Sequence, residues 1–278
     1  MVKGRAILER SFIMIHLYSG TPGSGKSYHA TEKIFYRLRN RKNVICNYPI
    51  SLDNCSYSFF GFWIKKIFKN YSPRRKKLGR FDYVDNAHLT VDYLKKYAKE
   101  NHKGHKEHET LVVIDECGIM FNPRTFAQAD RLEWIQFFSL HRHYGYDFIL
   151  ISQSDRMVDR QIRSFFEYNH QHRNVGSFKL FGKILSLLCG GSLFTDVVVF
   201  YSIREKVGSQ WFRYRRRIAS LYDTFLLYDD GDTDNEDADP EPSADNGDSV
   251  AELGGDPLPF DGSEFAVPLS PVTDKSNI

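Results

Sequence analysis

Gly20-Thr21-Pro22-Gly23-Ser24-Gly25-Lys26-Ser27 is the stretch on which the reading of this chain turns. It matches GxxxxGK[ST], and it stands between a strand predicted over Ile13–Tyr18 and a helix predicted over Ser27–Asn40, the context in which that pattern carries meaning. Glycines let such a loop close around an anion, with successive backbone N–H groups turned inward on phosphate oxygens. The helix that follows adds the positive end of its dipole. In this reading residues 20–27 cradle the phosphates, Lys26 reaches the β and γ phosphates, and the Ser27 hydroxyl ligates Mg²⁺. ATP and Mg²⁺ are the expected cofactors.

Working outward, Leu111-Val112-Val113-Ile114-Asp115-Glu116 reads as a buried strand that delivers two carboxylates at its C-terminal edge, where ligands sit in open parallel sheets. Asp115 is expected to hold Mg²⁺, and Glu116 to polarise a water for attack on the γ phosphate. An acidic pair of this kind favours hydrolysis over transfer to a small acceptor. Phe148-Ile149-Leu150-Ile151-Ser152-Gln153 is a third apolar strand ending in polar groups, with Gln153 and then Ser152 as γ-phosphate or water sensors. An arginine near the developing charge, often from a neighbouring subunit, also assists phosphoryl transfer. The candidates are Arg124, Arg142, Arg160 and Arg163, with Arg142 and Arg160 first because they flank the sensor strand, although each can equally be a surface or ion-paired residue.

Between these motifs lie a strand predicted at Asn43–Tyr48 and helices near Ala87–Glu100 and Arg131–His143. The alternation predicts an α/β domain with a mainly parallel sheet. The predicted organisation is an N-terminal extension (1–13), a P-loop core (14–175), a small β-rich appendage (176–228) and an acidic tail (229–278). The net charge of +3 hides a division. The tail holds 15 Asp and Glu against one lysine, a balance of −14, whereas residues 1–228 carry +17. A tail so acidic and so poor in aliphatic clusters cannot offset its ordering entropy and reads as disordered. It is either a solubilising extension or a screen for the basic domain. Four dispersed cysteines (Cys46, Cys55, Cys117, Cys189) lack CxxC spacing, which argues against a disulfide framework and for a reducing compartment.

The three motifs, in this order, resemble the zonular occludens toxin (Zot) family, the assembly ATPases of filamentous phages. The matching text is Met14-Ile-His-Leu-Tyr-Ser-Gly-Thr-Pro-Gly-Ser-Gly-Lys-Ser27, then Val112–Glu116, His141-Arg-His143, Asp147–Gln153 and Asp159-Arg-Gln-Ile-Arg163, within roughly Met14 to Arg217. The resemblance implies an ATPase of the additional-strand, catalytic-glutamate class that drives assembly and export of single-stranded DNA virions at the host inner membrane. It also implies a homo-oligomer, with phage DNA or its coat and packaging proteins, and a channel or membrane component, as partners. Family members commonly carry a membrane-spanning helix after the ATPase domain. The best stretch here, Ile184–Thr195, is 12 residues long and too short to span, so a buried segment feeding a strand at Val197–Tyr201 is expected. Amphipathic anchoring through Lys179, Phe181 and Lys183 is the other option. The expected location is cytoplasmic or peripheral at the inner membrane.

Two basic runs, Arg74–Lys77 with Arg80 and Arg213–Arg217, are candidates for single-stranded DNA, the second because Trp211, Phe212 and Tyr214 interleave with it. A charged edge strand that resists sheet-to-sheet pairing explains it equally. His102, His105 and His108 have a spacing that could serve zinc, yet nothing else around them supports a metal site, and a polar surface loop is expected. The aromatic stretch Tyr57–Phe68 is read as core, with a lid or subunit contact as alternatives. A P-loop kinase for a small molecule or nucleotide, and a nucleotide-switched scaffold without turnover, are the rival functions.

Overall fold

The computed structural model describes residues 14–58, 61, 64, 67, 75–104, 106–125, 128–177 and 192–222, all within one compact unit. The extension at 1–13, the acidic tail, Lys179 to Lys183, Cys189, His105 and most of the aromatic stretch lie outside the described residues.

The strands are β1 (Ile15–Ser19), β2 (Asn43–Cys46), β3 (Phe81–Tyr83), β4 (Thr110–Ile114), β5 (Tyr146–Ile151), β6 (Tyr168–Asn174), β7 (Leu193–Phe200) and β8 (Glu205–Arg213). The helices are α1 (Lys26–Arg39), α2 (Leu52–Ser56), α3 (Val91–Asn101), α4 (Cys117–Met120), α5 (Gln128–Leu140), α6 (Arg160–Arg163) and α7 (Arg216–Ala219). One sheet runs β3-β2-β4-β5-β1-β6-β7-β8. Every pairing from β3 to β6 is parallel, and β7 and β8 continue the sheet antiparallel.

Strand side chains alternate between faces, and both faces of this sheet are apolar. Ile15, Leu17, Ile45, Val112, Ile114, Phe148 and Leu150 point to one side, where they pack with Leu94 and Tyr97 of α3 and Trp134, Phe137 and Phe138 of α5. Tyr18, Val44, Cys46, Leu111, Val113, Ile149 and Ile151 point to the other, against Ala30, Ile34, Phe35 and Leu38 of α1. Each such side chain contributes about 1.5–3 kcal/mol on burial. The helical spacing of Ala30, Ile34 and Leu38 makes α1 a helix with one buried stripe. Arg37 and Arg39 in its last turn suit the negative end of the dipole.

Of the stretch read as a β-rich appendage, the described residues 192–222 hold β7, hydrogen-bonded to β6, and β8, hydrogen-bonded to β7, so both strands extend the core sheet. β7 begins at Leu193, so the end of the uncharged Ile184–Thr195 stretch is buried strand. No helix among the described residues is long and apolar enough to cross a membrane.

Candidate functional site

The phosphate-binding stretch forms the turn from β1 into α1. Gly25 caps α1 with φ +89, a left-handed conformation open to glycine, and Gly20 has φ +144. A Cβ on Gly20 would lie 2.5 Å from the carbonyl oxygen of His172, so β6 is the loop's close back wall. The Lys26 ammonium donates to the carbonyls of Gly20 (2.9 Å) and Thr21 (3.1 Å), curling over the loop. Burial lowers the Lys26 pKa, opposed by the negative charges of Asp115 and Glu116, so both carboxylates act on this ammonium.

Sheet order brings the acidic edge to the loop. Ser27 Oγ donates to Asp115 Oδ2 at 2.6 Å. Burial raises the Asp115 pKa, while bonds from Ser27 Oγ and the Glu116 N–H (2.8 Å to Oδ1) pull it back. Glu116 has φ +48 and leads into α4, a turn that separates its side chain from the direction of the strand. Asn47, just past β2, grips the Asp115 backbone twice. Its Oδ1 accepts from the Asp115 N–H at 2.7 Å and its Nδ2 donates to the Asp115 carbonyl at 2.9 Å. Sequence reading missed Asn47, and its signal is the one used for Asp115 and Gln153: a polar residue directly after a buried strand.

β5 lies between β1 and β4, paired with both, which is the place of the additional strand implied by the resemblance. It is tied to the loop, because the Gly20 N–H donates to the Gln153 carbonyl at 3.3 Å. The Gln153 side chain is exposed, and Ser152 is buried with its hydroxyl donating to the Ser154 carbonyl at 3.0 Å. A cleft of ≈ 740 Å³ opens beside Gly20, Thr21 and Gln153, and Arg156, Arg173 and Arg204 line it. None of these three was singled out from the sequence.

The arginines that were singled out are not gathered there. Arg142 precedes β5, at the sheet edge opposite the loop, and pairs with Glu167 at 2.6 Å. Arg124 is exposed in a turn, Arg160 is exposed at the start of α6, and Arg163 is half-buried near the Tyr201 hydroxyl. Within one chain, then, Arg142 is kept from the loop by the length of the sheet. His102 is half-buried and contacts the Tyr144 carbonyl and Thr110, whereas His108 contacts Asp147, so these two do not converge on a metal. In the second basic run, Arg215 bonds the Tyr36 hydroxyl and Arg217 the Tyr57 carbonyl, while Arg213 and Arg216 face solvent with Trp211 and Tyr214. Phe212 turns inward onto His29.

A phosphate-cradling turn between the first strand and first helix, with an acidic pair two strands away and a further strand inserted between, is the architecture of a P-loop NTPase. Comparison with known proteins narrows this. Residues 14–225 match the family described as zonular occludens toxin (Zot), and the chain belongs to that family. It is 26% identical over 218 residues to the Gene 1 protein of Enterobacteria phage I2-2, covering 77% of this chain and 56% of that protein. It is 41% identical over 150 residues to the Gene 1 protein of Enterobacteria phage fd, covering 54% and 39% respectively. The chain thus spans about half the length of these relatives. Among solved structures, the N-terminal domain of zonular occludens toxin from Neisseria meningitidis is similar with a TM-score of 0.43 and 14% identity, covering 77% of this chain and 100% of that one.

Proposed function

We propose that this chain is a Mg²⁺-dependent ATPase that powers assembly and export of filamentous single-stranded DNA phage particles. The observation that carries the proposal is the 2.6 Å bond between Ser27 and Asp115, with Glu116 adjacent and Lys26 acting on the same edge. The loop N–H groups and Lys26 bind and orient the ATP phosphates. Asp115 and Ser27 offer a carboxylate and a hydroxyl, hard oxygen donors of the kind Mg²⁺ selects, and burial of Asp115 leaves a carboxylate that a cation would stabilise. Bound there, Mg²⁺ supplies charge neutralisation on the phosphate oxygens. Glu116 accepts a proton from the attacking water as general base, and Gln153 contacts the water or γ phosphate. Assembly as the work performed rests on the family resemblance. A homo-oligomer supplies an arginine across the subunit boundary, and DNA or coat protein is the load, delivered at a membrane component of the host.

The test is phosphate release with and without single-stranded DNA, together with native mass. Stimulated turnover by a ring-sized assembly supports the motor. Phosphate transfer to an added acceptor would instead indicate a kinase, and ATP binding without turnover a nucleotide-switched scaffold.

A further inference from the structure

Behind the phosphate loop, on the α1 side of the sheet, lies a buried cluster that the nucleotide chemistry does not use. His29 comes from α1, His172 from β6 and Asp196 from β7, and they are 4%, 2% and 0% exposed. His172 and Asp196 are register partners on adjacent strands, so the sheet presents both to α1. His29 Nδ1 lies 2.8 Å from His172 Nε2 and 4.0 Å from Asp196 Oδ2, and one ligand atom from each of the three lies within 4.8 Å of the others. We propose that His29, His172 and Asp196 form a binding site for a borderline divalent transition metal, Zn²⁺ being the probe of choice, that ties α1 to the β6–β7 pair.

Hydrogen bonding around the cluster sets up ligand atoms. His172 Nδ1 lies 2.9 Å from the His170 carbonyl, which can only accept, so this nitrogen carries the proton and Nε2 keeps its lone pair. That is the outer contact metal-bound histidines ordinarily have. By the same logic His170 Nδ1 donates to Asp196 Oδ2 at 2.7 Å, and His16 Nδ1 donates to His170 Nε2 at 3.0 Å. One carboxylate oxygen is thereby anchored. Oδ2 is also the oxygen that lies 4.0 Å from His29 Nδ1, and the other, Asp196 Oδ1, is buried without a hydrogen-bond partner. A buried, half-satisfied carboxylate is costly unless a cation meets it.

The geometry requires a small adjustment. Two nitrogens on one tetrahedral zinc at about 2.0–2.1 Å stand about 3.3 Å apart, so the His29–His172 contact opens by about 0.5 Å, and His29 moves its proton to Nε2. Rings of Tyr18 (5.1 Å from His29) and Phe212 (4.6 Å) wall the site. Two nitrogens and a carboxylate favour Zn²⁺ or Co²⁺ over Mg²⁺, which sets this site apart from the oxygen ligands at Ser27 and Asp115. His29 is two residues beyond Ser27, and the His172 carbonyl backs Gly20, so a metal here braces the phosphate loop from behind.

The experiment uses the untagged chain, stripped with chelator, equilibrated with Zn²⁺ and passed through a desalting column before elemental analysis. Tetrahedral coordination is read from the visible absorption of Co²⁺. We expect one retained Zn²⁺ per chain. The isosteric Asp196→Asn and the helix variant His29→Gln should each weaken affinity by about 100-fold or more. His88→Ala, at an exposed histidine, should leave it unchanged. Circular dichroism verifies that each variant is folded. A wild-type chain that retains no Zn²⁺ overturns the proposal by itself, as does undiminished binding in either folded variant. ATP binding, measured separately, stands or falls without reference to this result.

Discussion

The hydroxyl of Ser27 and the carboxylate of Asp115 meet at 2.6 Å across 88 residues of sequence, joining the first turn of α1 to the end of β4. This contact places the two proposed Mg²⁺ ligands side by side. Ser27→Ala removes one ligand and leaves the half-buried Asp115 Oδ2 without its donor, a loss of about 1 kcal/mol in stability. We expect ATP turnover to fall by at least about 100-fold even at saturating Mg²⁺, measured as steady-state phosphate release. Turnover within a few-fold of wild type would remove Ser27 from the site.

Glu116 is the neighbouring carboxylate, turned out of the strand by its left-handed backbone. If it is the general base, Glu116→Gln keeps the shape and hydrogen-bonding reach but cannot take the proton. Phosphate release should drop by about 10²–10⁴-fold while a fluorescent ATP analogue binds with affinity close to wild type. Equal losses in binding and turnover would assign Glu116 to phosphate binding and leave the base elsewhere.

Asn47 acts through the Asp115 backbone, which it holds by both its N–H and its carbonyl. Asn47→Ala leaves an N–H and a carbonyl unpaired at the site, costing about 1–3 kcal/mol in a urea titration. Because the carboxylate then loses its bearing, the Mg²⁺ concentration for half-maximal turnover should rise. Asn47→Asp retains the acceptor for the Asp115 N–H and loses the donor, so its stability should lie between the two. A stability ranking with the aspartate variant below the alanine would mean that charge repulsion with Asp115 outweighs the retained bond.

Much of this arrangement could be read from the sequence because β1, β4 and β5 announce themselves as short apolar runs bounded by polar residues. Their edges moved by only one or two positions: β5 starts at Tyr146 and β4 at Thr110, since pairing with neighbours extends each strand past its aliphatic run. β6, Tyr168–Asn174, offers no such signal. Its inward positions are His170 and His172, whose rings pack tilted against Tyr18 while His170 bonds Asp196 and His172 bonds His29, in place of aliphatic packing. β3 is three residues long with little burial, too short for a periodic pattern. The cluster of His29, His172 and Asp196 was invisible for a different reason, because strand register brings together residues with no sequence spacing to recognise. The arginine ranking rested on proximity in sequence to β5. Arg142 lies at the strand's beginning, and the ligand edge lies at its end.

Acid sensitivity should arise in part far from the nucleotide. Burial lowers the pKa of His102 below 6.5, and its ring donates to the Tyr144 carbonyl at 2.6 Å while accepting from Thr110. Between the folded-state value and 6.5 the unfolded chain binds more protons, so this stabilisation is complete above 6.5 and is lost as pH falls through that window. His102→Asn, which cannot titrate, should lose less stability than wild type between pH 7.5 and about 5.5 in urea titrations. Equal losses would show that His102 contributes nothing to the slope.

The same separation of sheet edges orders the arginines. Arg142 is exposed and pairs with Glu167, a contact worth about 0–1 kcal/mol, so Arg142→Ala should leave stability nearly intact. Arg156 lines the cleft three residues beyond Gln153, on the edge where the phosphates are proposed to lie. Removing a cation that meets developing phosphate charge costs up to about 10³-fold or more in turnover, whereas a purely surface arginine costs almost none. We therefore expect Arg156→Ala to depress phosphate release far more than Arg142→Ala. Mixing each variant with the Glu116→Gln chain separates the two routes by which an arginine can act. A residue working within its own subunit gives no recovery, because neither partner then holds a complete site. One reaching across a boundary restores turnover, since the Glu116→Gln chain lends its arginine to the intact Glu116 of the neighbour. Recovery with Arg142→Ala would place that residue at a neighbouring subunit's site, despite its distance from its own.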